Sequence, residues 1–560
     1  MKTDYEKMGK EALERLAGTT ADVRACQEAV LAEILDKNKD TVIGRKFGFS
    51  RIRTVEEYRK AVPEGAYEEY KPYIRRMLAG ETNVLTRADA VHFCITSGST
   101  DEPKYIPLTE EDIRIHYIYA YSAVFGMIRE AYPDVPTEKL FPKIFQVGEF
   151  VKTWLPDGRM SGIRSSSLYQ WLDRNGAFDA SDYCVPKEVL FPEQVEDLTY
   201  VRARFALAEP EVRTIWGVFV HRIVGMMGYM EKNWQMLLED MERGSVSPQA
   251  GISREWECFL KERLEPDPGR AAELRSLSGG SLREGMIRKI WKNTRSICAI
   301  GGSTFGDYMA RLKVYAEGIP VHYFAYAATE GIFGIAPGMN RPDEYLLIPE
   351  SGFFEFLPEG AKEGEYRTFG MGELRKGCRY ELIFTNRSGL YRYRMRDILE
   401  VTGYYETCPV VKFCYRKNQV INVADEQTNL EQMEAAVKRY EAASGGKVGE
   451  NYCLYADLKS EPPRYQVFLE EPDVRPKNAD ALFDRCMCAE NLGYKGARRN
   501  GEAGQAHVTF LPRGSFAKYE RYLEKSGRQM AQIKPLRMIV TEEGKELFRK
   551  AAEVAENEAE

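Results

Sequence analysis

The chain has 560 residues, with 79 Lys and Arg against 85 Asp and Glu and a formal net charge of -6. Hydrophobic residues make up 44% and charged residues 29%, the usage of an ordinary soluble globular protein. This balance excludes a basic field for nucleic acid or anionic lipid, and no apolar run reaches the roughly 18 residues of a membrane helix.

Length alone predicts two to four domains, at roughly 100–200 residues each. Residues 1–90 read as charged helices. One carries apolar residues at helical spacing over Ala21–Asp36, and another starts at a Thr54–Glu57 capping box. Val91–Ile95 reads as a short buried strand, followed by Ser97, Gly98, Ser99 and Thr100 and then Lys104. Such a loop offers backbone N–H groups and hydroxyls to a polyphosphate. Gly98 allows close backbone approach, and Lys104 adds a mobile charge. No Walker string is present; the alternative reading is a plain Ser/Thr-rich strand-to-helix turn. Thr109 then caps a helix with an acidic first turn running to Ala131. Its face carries Ile113, Tyr117, Tyr121, Val124 and Ile128.

Lys143–Val151 and Arg213–Phe219 read as strands, the second running into a helix over Val220–Arg243. Arg263–Arg283, with Pro266, Pro268 and Gly269, reads as a surface excursion. Ser296–Ile300 is a strand ending at Gly301–Ser303, Asp307–Tyr315 is a helix, and Val321–Tyr326 is a strand ending at Ala327–Gly331. The alternation predicts an α/β fold with parallel sheets, and ligands in such sheets sit beyond the strands' carboxyl ends. Short strands from Glu344 to Arg394 predict a small antiparallel β-subdomain. There Arg392 and Arg394 read as salt-bridge partners, and Asp397 follows. After Arg416–Asn418 a smaller α+β domain begins, with a helix over Leu430–Ser444, strands near Tyr452–Leu458 and Tyr465–Leu469, and a helix over Ala479–Asn491. The expected division is 1–415 for a large N-terminal domain and 416–560 for a mobile C-terminal one.

The 11 Cys form no C-x-x-C pair, and the five His (His92, His116, His221, His322, His507) form no ligand spacing. The charged N-terminus lacks the apolar stretch of a signal peptide. The expectation is a reduced, cytoplasmic protein with no membrane anchor and no nucleic-acid partner.

Five strings in order carry a resemblance: TSGST with Lys104 (96–104), YAATEG (326–331), YRYRMRDILEVTGYY (391–405), FCYRKNQVINVADEQT (413–428) and QIKPLR (532–537). Together they resemble the acyl-acid amido synthetases of the Gretchen Hagen family, in the adenylate-forming superfamily. The resemblance implies a ligase that uses ATP and Mg²⁺. It implies Ser97, Gly98, Ser99, Thr100 and Lys104 on the phosphates and Tyr326 and Ala327 beside the adenine. It also implies Thr329 at the α-phosphate, Glu330 on Mg²⁺, Asp397 on the ribose and Arg416 on ribose or phosphate. Lys534 matches the mobile-domain lysine that reaches the adenylating phosphate, so Lys534, Glu330 and Thr329 are the expected catalytic set. Two places depart from the family pattern: Asp101 and Glu102 in the loop, and Glu426 and Asn429 after the hinge.

The expected reaction joins a small carboxylic acid to the amine of an amino acid through an acyl-adenylate, with a monomer as the expected state. Candidate walls of the acyl pocket are Tyr117, Tyr121, Phe305 and Phe333. The alternatives are a ligase with coenzyme A as acceptor and a non-catalytic nucleotide- or acyl-binding homologue.

Overall fold

The computed structural model describes residues 3–96, 104–193, 197–277, 282–301, 306–339, 341, 343–361, 367–417, 421–424, 426, 428–500, 502–525, 535–539 and 542–553. The chain forms two compact units, one of residues 1–395 and 400–412 and the other of 396–399 and 413–560.

The first unit opens with helices Tyr5–Thr20 and Val23–Asn38, each capped by an aspartate that accepts a backbone N–H of the first turn (Asp4 from Lys7, Asp22 from Ala25). The Thr54–Glu57 capping box forms as the sequence predicts. Three sheets follow. In the first, His92–Thr96 pairs antiparallel with Lys104–Leu108, in register Thr96 opposite Lys104, and parallel with Met160–Gly162. The Ser/Thr-rich stretch 97–103, for which a strand-to-helix turn was the other expectation, lies outside the described residues, and the first element described after it is the strand Lys104–Leu108. The helix comes one strand later, as Glu110–His116, with Thr109 as its cap. It continues through a π-helical turn, Tyr117–Ser122, into Ala123–Ala131.

The second sheet is parallel, in the order Ile144–Gln146, Thr214–Phe219, Ser296–Ile300, Val321–His322. The helices between its strands make this part α/β, as the alternation predicts. The expected helix 220–243 is two helices, Val220–Lys232 and Trp234–Arg243, broken at Asn233. The expected excursion 263–283 contains a helix, Pro268–Ser276, with Asp267 as cap and Pro268 in the first turn. A proline there starts a helix, because its missing N–H would have had no intrahelical partner.

The third sheet has seven strands, in the order Gly352–Pro358, Arg379–Asn386, Tyr393–Tyr405, Cys408–Arg416, Tyr345–Leu347, Gly331–Ile335, Tyr326–Ala328. It is larger than the small subdomain expected. The expected strand 321–326 is split: Val321–His322 ends the parallel sheet, and Tyr326–Ala328 begins the seven-stranded one. Residue Arg392 has φ +48°, so regular alternation starts only at Tyr393.

The second unit packs helices Leu430–Ser444 and Ala479–Glu490 on a sheet ordered His507–Leu511, Arg464–Glu470, Tyr452–Asp457, Met538–Ile539. Met433, Val437, Leu454, Val467 and Phe483 lie in its core. Among the described residues no helix is long and apolar enough to cross a membrane.

Candidate active site

Thr329 and Glu330 form a two-residue turn between the antiparallel strands Tyr326–Ala328 and Gly331–Ile335, with Ala328 opposite Gly331. A turn at a strand end normally leaves its carbonyls to water. Here both are held by side chains from elsewhere in the first unit. Arg164 Nη1 donates to the Thr329 carbonyl at 2.9 Å, and Asn386 Nδ2 donates to the Glu330 carbonyl at 2.9 Å. With the backbone fixed, the Thr329 and Glu330 side chains are half-buried and available to a ligand.

The supports of this turn lead back to the helix Glu110–His116, which follows strand Lys104–Leu108. Arg164, at the start of helix Arg164–Arg174, forms a buried ion pair with Asp112 in the first turn of helix Glu110–His116. Asp112 also accepts from Ser388 Oγ at 2.9 Å, and Ser388 Oγ accepts the Thr109 N–H at 3.0 Å. The Asn386 side-chain oxygen accepts from Ser388 N and Leu390 N, which closes the 386–390 turn. Cys94, on the strand entering the loop, reports the same convergence. Burial pushes its thiol up, while Arg164 pulls it down and Asp112 and Glu330 push it further up. The strand before the loop, the helix after it and the Thr329–Glu330 turn thus lie within electrostatic reach of one another.

In the second unit, Asp397 is buried and Arg416 holds both its oxygens: Nε to Oδ1 at 2.5 Å and Nη2 to Oδ2 at 3.1 Å. These two sequence-predicted residues are brought together.

The remaining expected residues fall as follows. Ser97, Gly98, Ser99, Thr100, Phe305 and Lys534 lie outside the described residues. Lys104 is on a strand, its ammonium 5.3 Å from the centre of the Tyr67 ring. The Tyr326 ring is buried against Phe333 and Tyr345, and Ala327 is half-buried. Three residues after Lys534, Arg537 is buried, donates to the Glu450 carbonyl at 2.6 Å and lies over the Tyr452 ring.

The described candidate pocket walls sit in aromatic packing. Tyr121 is buried against Trp216 and Phe125, with its hydroxyl 3.3 Å from that of Tyr183. Tyr117 stacks on Tyr121 and is hydrogen-bonded to Met8. Phe333 has no exposed surface and packs edge-on against Phe354 and Phe384 in the seven-stranded sheet. Arg392 and Arg394 are the ion-pair partners expected, with Glu355 and Glu64 for the first and Glu381 for the second.

Asp112, Arg164, Asn386 and Ser388 were not read from the sequence. Asn386–Gly389 carries a turn composition between two β runs, the one local signal present. Arg164 has none, since its partners are 52 and 165 residues away.

Among the described residues no three His, Cys, Asp or Glu side chains gather into a metal cage. A single available carboxylate, Glu330, fits Mg²⁺ shared with phosphate oxygens and water, because that ion is seldom held by an all-protein cage.

Comparison with known proteins follows this geometry. The chain is 27% identical over 548 residues to indole-3-acetic acid-amido synthetase GH3.3 of Arabidopsis thaliana, covering 94% of this chain and 91% of that protein. It is 26% identical over 564 residues to jasmonoyl--L-amino acid synthetase JAR6 of Nicotiana attenuata, covering 96% and 94%. Its fold superposes on the AtGH3.15 acyl acid amido synthetase solved with 2,4-DB, with a TM-score of 0.82 at 21% identity, over 98% of this chain and 97% of that one. A 2-hydroxyisobutyryl-CoA ligase matches at a TM-score of 0.50 and 11% identity, over 94% and 91%. The family models for the GH3 N-terminal, central and C-terminal domains match residues 12–321, 345–416 and 431–543, and the chain belongs to the GH3 family.

Proposed function

We propose that the protein is an ATP-dependent ligase that activates a small carboxylic acid as its acyl-adenylate and transfers the acyl group to the amine of an amino acid. The observation that carries this reading is the Thr329–Glu330 turn, whose two carbonyls are engaged by Arg164 and Asn386 while its side chains stay available. In the first step a carboxylate oxygen of the acid attacks the α-phosphorus, and the bond to pyrophosphate breaks. In the second the amine attacks the acyl carbonyl, the bond to AMP breaks, and the amine loses a proton to solvent. The second step needs no protein nucleophile, because AMP is already a good leaving group. Placement and fixed charge supply the rate.

Under this reading Ser97, Gly98, Ser99, Thr100 and Lys104 hold the β- and γ-phosphates, and Thr329 with Lys534 serves the α-phosphate. Tyr326 has its ring buried, so the 326–327 segment meets the adenine through backbone and the small Ala327. Asp397 takes the ribose hydroxyls, with Arg416 beside it. Glu330 would hold Mg²⁺, which offsets phosphate charge when bound. We assign 1–415 to ATP and acid binding and 416–560 to a mobile domain that delivers Lys534. The eleven cysteines, none disulfide-bonded, support a reducing cytoplasmic setting, and the reading takes the monomer as the working unit.

The test is ATP–pyrophosphate exchange across a panel of carboxylic acids, first without acceptor. Exchange that depends on an acid establishes adenylation. Adding amino acids or coenzyme A then distinguishes amide from thioester formation. ATP binding without exchange for any acid overturns the catalytic reading and leaves a nucleotide-binding homologue.

A further inference from the structure

We infer that Arg164 is a positioning residue for the phosphate chemistry: it fixes the turn that presents Glu330 and ties that turn to the helix following the phosphate loop. The inference rests on the role given to Glu330 above. Arg164 is 8% exposed and Asp112 is 4% exposed. Burying such a pair carries a desolvation penalty, and apolar side chains of similar volume often stabilise a fold as well or better. Packing is therefore a poor account of a charged pair here. What an apolar residue cannot do is donate in two directions.

The planar guanidinium does so. One nitrogen meets Asp112, and another meets the Thr329 carbonyl at 2.9 Å. The second anchor is independent: Asn386 holds the next carbonyl, that of Glu330, at 2.9 Å. The two anchors join through Ser388, which donates to Asp112 and whose backbone N–H donates to Asn386. Ser388 also receives the Thr109 N–H at the helix cap. A shift at the start of helix Glu110–His116 therefore reaches the Thr329–Glu330 turn through Asp112 and Arg164, and through Ser388 and Asn386. A lysine at 164 keeps the charge but loses the fork that spans two acceptors.

The test reads Mg²⁺-dependent ATP affinity by calorimetry on the full-length protein, with and without Mg²⁺. In the unaltered protein Mg²⁺ is expected to tighten ATP binding. Arg164→Gln is expected to lose about tenfold of that Mg²⁺ increment, the scale of one hydrogen bond to a charged group, while Mg²⁺-free ATP affinity moves less than about threefold. Arg164→Lys is expected to fall between. An unchanged increment in folded Arg164→Gln overturns the inference, as does equal loss with and without Mg²⁺. If Arg164→Gln does not fold, Asp112→Asn decides: it keeps the bond to Thr329 but weakens its anchor, and an unchanged increment overturns the inference there too. No Mg²⁺ increment in the unaltered protein also overturns it. A normal increment without pyrophosphate exchange for any acid overturns the adenylation reading instead, while the binding data still decide the role of Arg164.

Discussion

Arg416 holds both carboxylate oxygens of the buried Asp397, at 2.5 Å and 3.1 Å. Asp397 keeps almost no surface, while Arg416 remains about one third exposed. The arginine thus covers this carboxylate, and under the proposed function a nucleotide would share the aspartate with it. Asp397→Asn preserves shape but weakens both partners. The expected result is a rise of about tenfold in the ATP KM for pyrophosphate exchange, the scale of a hydrogen bond to a charged group. Arg416→Ala is expected to destabilise the second unit, because it removes the two charge-assisted hydrogen bonds that the guanidinium gives a buried carboxylate. Urea melts and exchange kinetics on the two variants separate these effects. An unchanged ATP KM in Asp397→Asn removes the aspartate from the nucleotide site.

Glu330→Gln tests the metal role. Among the described residues the Glu330 carboxylate has no ion-pair partner, and its backbone is held by Asn386, so the substitution leaves the turn's anchors in place. Acid-dependent exchange is expected to fall by about 10²–10³-fold, the range for removing one electrostatic stabiliser, with the melting transition unmoved. Exchange within about twofold of the unaltered enzyme would rule out Glu330 as the Mg²⁺ carboxylate.

Local rules made much of the fold legible. The Thr54 and Thr109 caps, the helix Leu430–Ser444 and the strands of the second unit follow from residues within one or two turns of each other. The misses have physical causes. Pro268 reads as a breaker until Asp267 is taken as its cap. Val321–Tyr326 is one apolar run, yet it serves two sheets, and nothing within the run marks where the chain changes sheet. The strings that carry the family resemblance were legible as a pattern, whereas Arg164, Asp112 and Asn386 act across distances in sequence that no local spacing records.

Tyr121 separates pocket from core. Its ring is sealed against Trp216, Phe125 and Tyr169, and its hydroxyl faces Tyr183. Tyr121→Phe removes only the hydroxyl. The expected cost is about 1 kcal/mol of stability, with the KM for the activated acid unchanged. A several-fold change in acid KM, or in the order of preferred acids, would instead place Tyr121 against the substrate.

Acid should weaken the fold before it titrates carboxylates. Burial drives His92 and His322 down to about 4 from the ordinary value of 6.5, and it pushes the buried His116 well below its ordinary value as well. These rings stay neutral in the folded chain at pH values where the unfolded chain protonates them. Between about pH 6.5 and 4 the unfolded state therefore binds more protons, and stability rises with pH through that window. At pH 5 His92 and His322 should each have removed about 2 kcal/mol of the stability present at pH 7. Urea unfolding at the two pH values measures the sum, with His322→Gln assigning one share: that variant should lose less on acidification than the unaltered chain. Equal losses in the two proteins would mean that His322 is not held neutral by burial.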